Sequence, residues 1–186
     1  MQDELQAFLE TPTARTYRQV REVLLEEVAA TCSAETLSAS VLVELAELAA
    51  ADQFYAVLER IDELQPAWAL SPRVHYLAAV AADEVGDAEG AELERFVFQS
   101  CLDGILATGD GTAQSPYLIT YSSDVHDVLL ALGLEPRSQT LVEQHGLLCD
   151  VVRCTDDEEV WFELTGVLHD PRRRVVEFAA LTSLRQ

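Results

Sequence analysis

Lysine is absent from this chain, and arginine supplies all twelve of its basic residues. Aspartate and glutamate together number 33, so the formal net charge is −21 over 186 residues. A surface this short of positive charge repels phosphate, which argues against nucleic acids and anionic membranes as partners. We expect instead an unknown protein or peptide partner with a basic or apolar contact surface.

Cysteine and long apolar runs are also scarce. The four cysteines lie far apart, mostly in apolar stretches, which is typical of free buried thiols in a reducing compartment. No apolar run approaches the roughly 18 residues of a membrane span. The first ten residues are acidic and amphipathic, unlike a secretory signal. We therefore expect a cytoplasmic protein.

The sequence contains no recognisable motif for catalysis or cofactor binding. The hydrolase elbow, the P-loop and the dinucleotide fingerprint are all missing. A calcium loop starting at Asp110 would need oxygen ligands where Gln114 and Tyr121 stand. Cys149 and Cys154 would point to opposite faces of a strand, so they cannot share a metal. We predict no metal and no cofactor.

Carboxylate pairs are too abundant here to mark a site by themselves. Glu158 with Glu159, or Asp124 with Asp127, has the composition of a general acid/base pair. Neighbouring acids nevertheless occur all along so acidic a chain. We interpret both pairs as parts of a solvated acidic face, and we predict no catalytic residue.

The first 106 residues predict about six helices, because apolar residues recur at helical spacing. Pro66 is expected to stop the fourth helix and Gly86 to end the fifth. The sixth, Ala88 to Leu106, is apolar on two sides, and we expect it to be buried on both. Capping signals predict where helices two to six begin: Thr11-Pro12, Ser33, Asp52, Ser71-Pro72 and Asp87.

A weak internal repeat runs through these helices. Asp52 to Glu63 aligns with Asp87 to Phe98 at an offset of 35 residues. The segment Val85 to Ala91 resembles the turn between the two helices of a tetratricopeptide repeat, and Pro66 stands where that repeat ends in proline. The resemblance implies an array of stacked helical hairpins, and a plain pair of helical hairpins is the alternative.

Beyond Gly104 the sequence changes to turns and short strands. We predict a strand at Tyr117 to Thr120, then a helix capped by Ser122 or Ser123 that ends at Gly133. Three strands of an antiparallel meander follow, and a last element is strand or helix, with a strand favoured at its start by Val175-Val176. These segments are Ser138 to Glu143, Leu147 to Thr155, Val160 to Leu164 and Arg174 to Leu181, with Gln144-His145-Gly146 as the hairpin loop between the first two.

The predicted fold class is therefore α+β. An N-terminal, TPR-like array of antiparallel helical hairpins, residues 1–108, packs on a small C-terminal β-α-β-β-β module, residues 109–186. We expect the two parts to form one compact unit, because the sixth helix needs cover on both sides.

The C-terminal half resembles an uncharacterised bacterial domain family. The residues that carry this resemblance form a glycine-rich turn, a tyrosine-led strand, an acidic helix and two later strands. They are Gly109-Asp110-Gly111-Thr112, Tyr117-Leu118-Ile119-Thr120, Asp124 to Gly133, Gln139-Thr140-Leu141-Val142, Asp150-Val151 and Trp161-Phe162-Glu163-Leu164. The resemblance implies architecture and no activity.

Two groups of residues are candidates for contact with a partner. Trp68, Arg73 and Tyr76, around the Pro66 turn, would line a concave groove of the array; the alternative is that they belong to the core. Arg172 and Arg173 belong to the one basic run, which is either a partner contact or a latch onto the acidic helices.

These features predict a non-enzymatic adaptor or regulatory binder. One alternative is an acidic immunity or inhibitor protein, whose charge would speed capture of a basic target. The other is an enzyme with a carboxylate/arginine site between the two parts. Two carboxylates with raised pKa in a deep cleft would favour the enzyme.

Overall fold

A computed structural model describes residues 1–33, 36–155 and 157–168. Seven helices and four strands form over these residues, so the fold is α+β, as predicted. The helices are α1 (Gln2–Glu10), α2 (Ala14–Thr31), α3 (Ser40–Ala50), α4 (Phe54–Leu64), α5 (Pro72–Glu84), α6 (Ala88–Leu106) and α7 (Asp124–Leu132). The strands are β1 (Tyr117–Leu118), β2 (Pro136–Gln144), β3 (Leu147–Cys154) and β4 (Glu159–Glu163).

The capping signals around α5 and α6 are confirmed. The hydroxyl of Ser71 accepts a hydrogen bond from the backbone N–H of Val74 at the start of α5. The carboxylate of Asp87 accepts one from the N–H of Gly90 at the start of α6. Between the two helices Gly86 has a φ of +84°, a conformation that glycine adopts without steric penalty.

The predicted caps of α2, α3 and α4 are wrong by one to six residues. Thr13, not Thr11, caps α2, because its side chain and that of Thr16 each accept a hydrogen bond from the other's backbone N–H. A turn from Thr36 to Ala39 delays α3 to Ser40. Asp52 has a φ of +56°, which cannot continue into a helix, so α4 begins at Phe54.

The expectation that α6 is buried on both sides is correct only for its second half. Cys101, Leu102 and Ile105 are buried, whereas Leu93 is 58% exposed and Phe96 50% exposed. The helix buries only Ala91 before it reaches Val97, so its first half is covered along one narrow stripe. A side with two large apolar residues therefore faces solvent.

The sheet has the strand order β1-β4-β3-β2. Strands β2, β3 and β4 pair antiparallel, which confirms the meander, and β1 pairs parallel with β4. The hairpin loop is one residue shorter than predicted, because Gln144 already pairs with Leu147. His145 and Gly146 both have positive φ, as a two-residue type I′ turn requires.

A hydrophobic core runs through the helical and β parts, from Phe8 in α1 to Leu164 after β4. In the ranges described, no helix combines the length and the apolar character needed to cross a membrane. Arg172 and Arg173 lie outside the described residues, as does the element predicted for 174–181.

Glycine at position 104 in α6 lets two aromatic rings approach the helix. A Cβ atom there would lie 2.6 Å from the ring of Phe8 and 2.8 Å from the ring of Tyr17. We expect Gly104→Ala to destabilise the protein by about 1–3 kcal/mol, which exceeds the gain in helix propensity. Thermal denaturation measures the loss, and adding Phe8→Leu should restore part of it. Unchanged stability in the single variant would show that the rings move aside freely.

Candidate functional site

Trp68 lies in the core. Its side chain is fully buried and stacks on the ring of Tyr121, with centroids 5.0 Å apart and planes 7° from parallel. The indole N–H donates to the carbonyl oxygen of Thr36 at 2.9 Å. Trp68 is therefore a core residue, as the alternative to a groove contact predicts.

Arg73 and Tyr76 lie together on α5, one buried and one exposed. The guanidinium of Arg73 is buried in an ion pair with Asp127 of α7. The ring of Tyr76, 48% exposed, lies 6.0 Å from the Arg73 guanidinium carbon and 6.1 Å from the ring of Phe98. Of Trp68, Arg73 and Tyr76, it is Tyr76 whose side chain exposes enough area for a partner to contact. Binding of a partner at Tyr76 stays a prediction.

Asp124, in the first turn of α7, is fully buried. Its Oδ2 accepts hydrogen bonds from the backbone N–H groups of Thr120 and Tyr121, both at 2.9 Å. Its Oδ1 has no hydrogen-bond partner among the described residues. Burial raises the pKa of this carboxyl to about 8, against the two backbone donors, which lower it.

Asp127, one turn further along α7, is also buried. Burial raises its pKa to about 6, and the charge of Arg73 opposes that rise. The interpretation of Asp124 and Asp127 as a solvated face is therefore wrong. At helical spacing both acids share a face with Val128, so they belong to the stripe that packs inward.

Arg21 and Tyr17 of α2 complete the polar groups at this junction. The guanidinium of Arg21 donates to the carbonyl oxygens of Ile119, at 2.9 Å, and Thr165. The hydroxyl of Tyr17 lies 2.8 Å from that of Thr120. These bonds tie α2 to the chain just after β1 and just after β4.

Sequence reasoning missed this cluster, although the pattern contains a signal for it. Arg21 stands in the apolar stripe of α2, at helical spacing with Tyr17, Leu24 and Val28. A charge inside an apolar stripe needs a buried partner, and Arg21 finds it in the carbonyl oxygens of Ile119 and Thr165. The cluster, defined as Tyr17, Arg21, Arg73, Asp124 and Asp127, is enclosed and lies at the junction between the helical and β parts.

The surface candidate is a shallow, wide-open groove between α1 and α6, with a volume of about 370 Å³. α1 turns Phe8 inward, where its ring lies 5.8 Å from that of Tyr17. Leu5 and Leu9 flank Phe8 and remain partly exposed. Phe96 of α6 forms the facing wall. We call this feature the α1/α6 groove; it is lined by Gln2, Leu5, Gln6, Leu9, Glu10 and Phe96.

Acidic residues surround the α1/α6 groove. α1 contains three acids and no basic residue. On α6, Glu89 and Glu92 share the face of Phe96 by helical spacing. The one basic residue of α6, Arg95, pairs with Asp83 of α5. An apolar surface thus lies in a field of negative charge.

No group of three or more His, Cys, Asp or Glu residues able to hold a metal occurs in the described part of the chain. Comparison with protein-family models, with curated proteins and with solved structures finds no match. The two resemblances therefore stay predictions.

Proposed function

We propose that this protein is a non-enzymatic cytoplasmic adaptor or regulatory binder, which holds a segment of a partner protein in the α1/α6 groove. The observation that carries the proposal is the half-exposed ring of Phe96 beside Leu5 and Leu9. Apolar area removed from water contributes about 25 cal/mol per Å². Aromatic residues in such positions are frequent anchors of interfaces.

The charge around the groove selects the partner. Glu10 lines it, and Glu89 and Glu92 lie beside it. A matching segment has apolar side chains at helical spacing and arginine or lysine on its flanks, the composition of an amphipathic helix that docks in a groove. A net charge of −21 also speeds encounter with a basic partner. An inhibitor or immunity protein would use the same surface against a folded basic target.

We propose further that the helices from α3 to α6 form two TPR-like hairpins. Each helix from α3 to α6 packs against the next along the chain, as in an array of stacked helices. A left-handed Gly86 and the Asp87 cap separate α5 from α6, and a turn between the paired helices of such a repeat supports this proposal. α1 then lies against the last helix of the array, and the groove forms where the two meet.

Selection from a random peptide library tests the adaptor proposal, with Phe96→Glu as the counter-selecting protein. We expect recovered peptides to have apolar residues three and four apart and basic flanks. Their affinity should fall at least tenfold in Phe96→Glu, which puts a charge into the apolar wall. Fluorescence anisotropy measures that difference.

Tyr55→Glu is the matched control, because Tyr55 is an exposed aromatic residue of α4 outside the groove. It adds the same charge and should change the affinity by no more than about twofold. That small change is what the added charge exerts from a distance after screening by salt. Peptides that bind both variants alike would show only general attraction to an acidic surface, and the α1/α6 groove would not be the binding site.

One observation favours a second candidate, an enzyme with its site between the helical and β parts. Asp124 and Asp127 have raised pKa values beside Arg73, as many catalytic carboxyls do. Both acids are enclosed, so a substrate would need the junction to open. A metabolite that raises the melting temperature of the wild type and not of Asp127→Asn would favour this candidate over the adaptor.

A further inference from the structure

The outer edge of β2 offers backbone groups that no described strand uses. β2 ends the sheet, and its nine residues make it the longest of the four strands. Gln144 and Leu147 flank a two-residue loop, so their backbone groups hydrogen-bond to each other. From this pair on, hydrogen-bonded and non-hydrogen-bonded pairs alternate along β2 and β3. Gln139, Leu141 and Glu143 consequently direct their N–H and C=O groups away from β3.

This edge has protection at one end only. Edge strands that avoid pairing use proline, lysine or a bulge. β2 has Pro136 and a break in register between Pro136 and Ser138. From Ser138 to Gln144 its pairing with β3 is regular, and the segment contains no proline and a single charged residue, Glu143. These seven residues can accept another strand.

The β2–β3 hairpin is also a neutral region of a very acidic protein. Residues 136–149 contain one arginine and one glutamate. Both faces of β2 are largely exposed to solvent. Leu141, Leu147 and Leu148 are each more than a third exposed. Two copies of a chain with a charge of −21 repel least where the local charge is balanced.

We propose that two copies of this chain pair through β2, antiparallel about a two-fold axis at Leu141, and join their sheets into one. Leu141 then meets Leu141 of the second copy, Gln139 faces Glu143, and Thr140 faces Val142. Each pair among the outward residues exchanges two backbone hydrogen bonds. The interface is self-complementary, as a two-fold contact requires.

The neighbouring registers fit less well. A two-fold axis at Gln139 sets Glu143 opposite Glu135 of the second copy, which is a contact between like charges. An axis at Thr140 sets Arg137 opposite Glu143 of the second copy, which is a favourable contact between unlike charges. It also brings Arg137, at the break in register, into the ladder and separates the two Leu141 side chains. The register centred on Leu141 keeps the regular part of the strand and the apolar contact together.

Sedimentation equilibrium over a wide concentration series tests this dimer. The wild type should rise from 20.5 kDa towards twice that mass, and added salt should strengthen association because it screens the repulsion between the copies. Leu141→Lys should stay at the mass of one chain, since it sets two cations together on the axis. Leu147→Lys is the matched control: Leu147 is 38% exposed against 39% for Leu141, lies in β3, and should leave the dimer intact.

Amide hydrogen exchange of the wild type locates the interface without any substitution, so it tests the proposal even if Leu141→Lys fails to fold. Exchange at Gln139, Leu141 and Glu143 should slow as protein concentration rises. Thr140 should not change, because its N–H already bonds to β3. A constant mass of 20.5 kDa at every concentration would overturn the proposal. Dimerisation of Leu141→Lys, or concentration-dependent protection outside β2, would overturn it too.

Discussion

Replacing Arg73 with methionine should lower the free energy of unfolding by about 3–5 kcal/mol, because it leaves a buried carboxylate without its counter-charge. Arg73 and Asp127 are both buried, and their ion pair joins α5 to α7. The loss should be smaller at pH 5 than at pH 8. The pKa of Asp127 is already raised to about 6, so the acid can take up a proton at the lower pH. Urea unfolding followed by circular dichroism measures the effect.

The chain supplies a matched control for this prediction. Arg95 pairs with Asp83 on the surface, where the two side chains are 54% and 58% exposed. Arg95→Met should therefore change stability by only about 0–1 kcal/mol. The double variant Arg73→Met/Asp127→Leu should recover most of the loss, because no unpaired charge remains. If Arg73→Met is no more destabilising than Arg95→Met, the buried pair does not stabilise the junction.

Replacing Asp124 with asparagine should flatten the dependence of stability on pH. In the folded protein burial raises the pKa of Asp124 from 3.8 to about 8. Between these values the folded state holds a proton that the unfolded state has released, so stability falls as pH rises, by about 1.4 kcal/mol per pH unit. Asparagine does not titrate, and its side-chain oxygen can still accept the two backbone hydrogen bonds. From pH 5 to pH 7 the variant should lose about 3 kcal/mol less stability than the wild type.

Other acids also affect the pH dependence, so this prediction concerns a difference between variants. Asp62→Asn, at an exposed position of α4, removes one negative charge without touching the cluster. Its stability should follow the wild type across the same pH range. Parallel curves for Asp124→Asn and the wild type would show that Asp124 is already ionised in the folded protein at neutral pH.

The features that sequence reasoning predicts best depend on a few neighbouring residues. The sequence correctly predicts the helix caps at Ser71-Pro72 and Asp87 and the helix ends at Gly86 and Gly133. A cap or a left-handed glycine is decided within one helical turn. The β2–β3 hairpin is equally local. Its register follows from the turn that joins the two strands.

The features that sequence reasoning misses depend on residues far away in the chain. Phe96 is exposed because no described element covers that side of α6, and nothing near Phe96 in sequence indicates this. The residue type of Asp124 and Asp127 predicts exposure to solvent, yet α7 packs with that face inward. Their partners, Arg73 and the backbone at Thr120, follow from how helices and strands assemble.

The hydrogen bonds of α2 have a consequence for the order in which a ribosome delivers the chain. Arg21 bonds to carbonyl oxygens 98 and 144 residues later, and Tyr17 to a hydroxyl 103 residues later. While the polypeptide emerges, α2 therefore carries a charged side chain that gains its first acceptor only when Ile119 has been made and its second only when Thr165 has been made. A fragment that stops at residue 108 would leave this side chain unsatisfied in its apolar stripe, so the helices should complete their packing only after synthesis of the sheet.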